Sequence, residues 1–101
     1  MNELCLLNLV VTPQVADAVT DWLLEHEAIS GFTSLAIAGH GSSAHAMSLA
    51  EQVAGKRHQV LFQLHLPLAE ARDLLPALKT DFGGSGLHYW LLPVLESGHL
   101  D

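Results

Sequence analysis

The chain has 101 residues, half of them hydrophobic and 15% charged, which is too apolar for a disordered segment and fits one domain around one core. Eleven carboxylates stand against four Lys plus Arg, a formal net charge of −7, so a sequence-independent grip on nucleic-acid phosphates lacks its driving term and no nucleic-acid partner is expected. No apolar run approaches the roughly 20 residues of a spanning helix and Met1 to Val11 lacks a basic, cleavable leader, so the expectation is a cytoplasmic protein without membrane insertion.

Leu4 to Val11 (LCLLNLVV) is an apolar run of strand length, and Thr12-Pro13 ends it while offering an N-cap and an N1 proline to a helix running to about Glu27. Val15, Val19, Trp22 and Leu23 share one face of that helix, opposite Gln14, Asp17, Asp21 and Glu25. Phe32 to Ala38 reads as a second strand. His58 to Leu66 reads as a third, with Val60, Phe62 and Leu64 on one side and Gln59, Gln63 and His65 on the other. A second helix starts at Pro67, with Leu68, Ala71, Leu75, Leu78 and Phe82 as its apolar stripe and a kink or split expected at Pro76. Gly83 to Gly86 is a flexible turn, and Leu87 to Leu95 a fourth strand whose Pro93 suits a sheet edge.

The order βαββαβ, with right-handed crossovers, predicts an α+β ferredoxin-like sandwich spanning residues 1–101: a four-stranded antiparallel sheet with both helices on one face. Strands one and four are apolar on both alternating sets, Leu4/Leu6/Val10 with Cys5/Leu7/Leu9 and Tyr89/Leu91 with Trp90/Leu92/Val94. A sheet with one wet face alternates instead, so subunits are expected to cover the second face as a homo-oligomer. Cys5 stands alone, which excludes an intrachain disulfide and reads as a core thiol. The seven histidines outnumber the other cations, and protonating all of them would bring the net charge from −7 to zero.

Nineteen residues, Gly39 to Arg57 (GHGSSAHAMSLAEQVAGKR), join strands two and three. Structureless connections beyond about 12–15 residues are uncommon in small domains and are usually functional or disordered. Ser48 and Glu51 have capping-box spacing, and Leu49 to Ala54 can form a short helix ended by Gly55. Glu51, Gln52, Val53 and Gly55 are then either local packing or the partner-binding part of a loop with two arrangements. His40 and His58 meet at the hairpin base with His45 close by. Each is either solvated or a ligand of zinc, copper or nickel, with Glu51 able to complete the set. Lys56 and Arg57 can hold an anion, or pair with carboxylates of a neighbouring subunit. Ser42 and Ser43 have no base and orienting group arranged around them, so catalysis is not expected.

Several families sharing this element order fail on their residues. A metal chaperone needs Cys-x-x-Cys where the chain has Val11-Thr12-Pro13-Gln14. An RNA-recognition module needs strand aromatics in a basic sequence, and an acylphosphatase needs an arginine in the first strand-to-helix loop. The chain instead resembles the PII-like superfamily. Within it, Ser48 to His58 (SLAEQVAGKRH), with Glu-Gln-Val-Ala-Gly at its centre, resembles domain-of-unknown-function family 3240, found near heavy-metal efflux genes. The resemblance implies a trimer, a T-loop at 39–57, a non-enzymatic regulatory or sensor role and a metal-efflux transporter component as partner. The other reading is a histidine-based metal buffer or chaperone. Gly83-Gly84-Ser85-Gly86 carries no lysine and Glu96-Ser97-Gly98-His99 is acidic where PII nucleotide sites are basic, so ATP is not expected. The characteristic segments of CutA are also missing.

Overall fold

Alternating apolar residues build Leu4–Val11 into a central strand, β1, in a computed structural model that describes residues 3–41, 50–51 and 56–101. It is followed by α1 (Pro13–Leu24), β2 (Thr33–Gly39), β3 (Arg57–Pro67), α2 (Leu68–Phe82) and β4 (His88–Val94). The antiparallel sheet has the order β2-β3-β1-β4, the ferredoxin-like arrangement expected.

Register decides which side chains share a face. Leu9 lies opposite Phe62, Leu7 opposite Leu64 and Cys5 opposite Leu66. Together with Val11 they form the sheet side of the core, closed by Val19 and Leu23 of α1 and Ala71, Leu74 and Leu78 of α2. The other face carries Leu4, Leu6, Asn8 and Val10 of β1, with Leu61, Gln63 and His65 of β3 beside them. Leu35, Trp90 and Leu92 complete it at 44%, 44% and 47% exposure, so both faces of the sheet are apolar while the helices cover only one. Asn8, at its centre, is only 2% exposed. Its amide donates to the Leu6 carbonyl (3.3 Å) and its Oδ1 accepts from Gln63 Nε2 (3.1 Å), which satisfies a polar group that would otherwise be costly there.

Local chemistry moves several boundaries. Helix α1 ends at Leu24 rather than near Glu27, because the His26 amide bonds the Leu23 carbonyl (3.2 Å) and the His26 ring Nδ1 bonds that of Trp22 (2.8 Å). Pro13 sits in the first turn as expected, yet Thr12 makes no side-chain cap; the Val15 amide bonds its carbonyl instead (3.2 Å). β2 runs one residue later than the apolar run suggested. No split occurs at Pro76, which lies inside α2. The carbonyl it leaves without a helical partner is that of Arg72, and both residues are exposed, so water can serve it.

The glycine turn is also tighter than its composition suggests. Gly83 (φ −58, ψ 134) and Gly84 (φ 88) occupy the two central positions of a type II turn, closed by the Ser85 amide on the Phe82 carbonyl at 3.1 Å. Ser85 Oγ donates to the same carbonyl (2.6 Å).

Cys5 is 2% exposed, and burial pushes its thiol above the ordinary 9.0, with Arg72 pulling slightly the other way. The native thiol is therefore expected to resist an aromatic disulfide reagent at neutral pH and to react fully once urea unfolds the chain. The sign of the linkage is also fixed. Above about pH 9 the unfolded state loses this proton first, so stability should fall as pH rises through the alkaline range, which urea titration at several pH values measures.

Candidate functional site

The two strands leading into the long connection are held in register to its root: Ala38 lies opposite His58 and Gly39 opposite Arg57. Strand alternation then separates neighbours. His58 continues the face of Val60 and Phe62, whereas Arg57 and Gln59 continue the opposite face, that of Leu61 and Gln63. Glu51 fastens the root. Its carboxylate accepts the His58 backbone N–H at 2.6 Å and its carbonyl accepts that of Lys56 at 3.2 Å. This is a structural use of Glu51 through the backbone of β3. Ser48, His45, Gln52, Val53 and Gly55 lie outside the described residues.

On the face opposite the helices, the loop root borders a hollow of about 490 Å³. It gathers Arg57, His40, Gln59, His88, Tyr89 and Trp90 over a floor that includes Val10 and Ile37. Gly39 matters here through close approach: a Cβ on it would overlap the Gln59 amide, so glycine lets that amide lie across the strand. One guanidinium, two imidazoles and an amide around an aromatic wall form a set of hydrogen-bond donors suited to a small planar anion.

Of the residues singled out in sequence, His40 and Arg57 are thus brought together, while Lys56 and His58 do not line the hollow. Among the described residues, no three His, Cys, Asp or Glu side chains are grouped as a metal ion requires. Sequence reasoning missed Gln59, His88, Tyr89 and Trp90. The signal was in the strand order: with β4 beside β1, His88 stands opposite Val10, and Val10 opposite Leu61, which in turn faces Leu35. No helix among the described residues is long and apolar enough to cross a membrane.

Comparison with known proteins identifies the family and the fold. A family model described as "Protein of unknown function (DUF3240)" matches residues 1–101. A crystal structure of a DUF3240 family protein from Shewanella baltica OS155 superposes with a TM-score of 0.81 at 28% identity, covering 100% of both chains. CPII from Thiomonas intermedia K12, a nitrogen regulatory PII-like protein bound to ADP, AMP and bicarbonate, has a TM-score of 0.67 at 17% identity, covering 91% of this chain and 90% of that one. CutA from Synechococcus elongatus PCC7942 reaches 0.62 at 13% identity, over 93% and 79% of the two chains, a likeness of fold. No curated protein is significantly similar to the chain.

Proposed function

The chain belongs to the DUF3240 family and has the PII-like fold, and from that premise we propose that it is a non-enzymatic PII-like regulatory protein whose loop root binds a small anion. The observation that carries this reading is the convergence of Arg57, His40, His88 and Gln59 in one hollow at the base of the connection between β2 and β3. An anion seated there ties β2, β3 and β4 to the start of the loop, so its binding energy can favour one arrangement of the loop over another. That bicarbonate is among the ligands of the PII-like CPII supports an anion of this size on such a fold. The loop is the part we assign to a protein partner. A component of a heavy-metal efflux system is the partner that the family resemblance suggests.

The apolar face around Leu35, Trp90 and Leu92 is where we place the contact between copies in a homo-oligomer, with a trimer as the PII-like arrangement. The hollow opens on the same face, so a neighbouring copy would wall it and couple ligand to assembly.

Calorimetric titration of the full chain with bicarbonate, ADP, zinc, copper and nickel tests the reading. Anion binding is expected, weakened about 10–100-fold by Arg57→Ala, the loss of one charged hydrogen-bonding partner. Absence of heat with both anions would overturn it. Stoichiometric metal uptake that disappears when His40, His45 and His58 are replaced together by alanine would put the metal-buffer reading in its place.

A further inference from the structure

The helix layer stops short of the edge strand β4. Helix α2 packs over β1 and β3, which leaves Tyr89 of β4 56% exposed and opens a groove of about 850 Å³ between α2 and that strand. Leu75, Leu78, Phe82, Leu87 and Tyr89 give it an apolar lining, and Arg72 and Lys79 stand on its α2 side. No carboxylate among the described residues lines it, although the chain has eleven, whereas two of its four Lys and Arg residues do. Neither cation is paired with a carboxylate among the described residues.

The two cations flank the lining rather than cluster. They stand seven residues apart on one helix face, about 10.5 Å along its axis, with Leu75 and Pro76 between them. A polyphosphate would have to lay charge on that apolar stretch, which is costly, whereas an anion with one charged head and an apolar body meets a cation and the lining at once. The volume lies in the range of small-molecule sites, roughly 300–1,000 Å³. The chain's own end is a competitor within reach, because Arg72 also borders an adjoining hollow with Leu91, Leu92 and Leu95. In the structure, however, Leu95 and Leu100 are 98% and 105% exposed, so neither leucine is seated in the groove and it stands open to a diffusible ligand.

We propose that this groove binds a small amphiphilic carboxylate, its head on Arg72 or Lys79 and its apolar body along Leu75, Phe82, Leu87 and Tyr89. Charge-assisted hydrogen bonds orient the head, and removal of the body from water supplies the affinity. The site goes beyond the loop-root reading and does not depend on it, because the groove and the loop-root hollow share only Tyr89 and Arg57 belongs to the hollow alone.

The test is a nuclear magnetic resonance titration of the isotopically labelled full chain with hexanoate, octanoate and decanoate. Amide signals of Lys79, Phe82, Leu87 and Tyr89 should move, and Kd should fall about two- to fourfold with each added methylene. 1-Octanol keeps the apolar body and loses the charge, so it should bind at least about tenfold more weakly than octanoate. Arg72→Gln with Lys79→Gln, both at exposed positions, should weaken octanoate by at least about tenfold, and Arg57→Ala should leave it unchanged. Circular dichroism of each variant reports folding. Equal affinity for octanoate and 1-octanol, or loss of octanoate binding in Arg57→Ala, would overturn the proposal. Leu95→Glu with Leu100→Glu examines the chain's own end: octanoate binding found only in that variant makes the tail the native occupant and overturns the proposal as well. If octanoate fails while bicarbonate still binds, this site alone falls and the loop-root reading stands.

Discussion

Phe62→Ala is expected to cost about 3–5 kcal/mol, roughly a fifth or more of the stability of a typical small domain. Phe62 is 1% exposed on β3, one of the two inner strands, opposite Leu9 on one side and Ser34 on the other. Its ring stands 5.9 Å from that of Phe32 at an interplanar angle of 55° and is enclosed by residues of both helices and β1. Alanine removes the transfer free energy of the ring and leaves a void bounded on one side by the hydrogen-bonded sheet, which cannot collapse into it. Urea unfolding reads the effect as a fall in midpoint of roughly 1–3 M at unchanged slope. Leu35→Ala is the control. Leu35 lies on the opposite face and is 44% exposed, so truncating it should leave the stability of the isolated subunit within about 0.5 kcal/mol.

The second large effect concerns association. Leu35→Glu combined with Leu92→Glu is expected to yield a folded monomer in place of the oligomer proposed for the natural chain, read by light scattering alongside far-ultraviolet circular dichroism. The two positions lie on opposite edge strands, β2 and β4, so no single docked surface can cover this face without burying at least one of the new carboxylates. Desolvating an unpaired carboxylate costs several kcal/mol, and the change also takes the net charge from −7 to −9, increasing repulsion between copies. Neither side chain belongs to the core, so the subunit should keep its fold. A natural chain that is monomeric at micromolar concentration, or a variant that associates unchanged, would remove the basis for placing the contact on this face.

Most of the fold was legible because its signals are periodic and local. The doubled apolar sets of β1 and β4 announced a sheet apolar on both faces, and Val60, Phe62 and Leu64 announced the core face of β3. What was not legible depends on contacts between distant residues. The end of α1 is set by the His26 ring bonding the Trp22 carbonyl, a bond that competes with another helical turn. Pro76 is tolerated because solvent reaches the carbonyl it strands, which composition cannot reveal. Asn8 interrupted an apolar set without explanation until Gln63 appeared opposite it. At the site, the sequence marked Arg57 and His40 through the length of the connection they border. His88, Tyr89 and Trp90 are contributed by a strand about thirty residues further on and become neighbours only through the β2-β3-β1-β4 order.

The composition of β2 carries a consequence for the solitary subunit. As a sheet border it offers a row of peptide groups that no strand among the described residues pairs, and its seven residues, TSLAIAG, include no charge and no proline. Borders of this kind pair promiscuously with other polypeptides unless gatekeeper residues blunt them. A newly synthesised copy is therefore a seed for cross-strand aggregation for as long as that border stays open, and any surface that comes to lie along β2 removes the hazard.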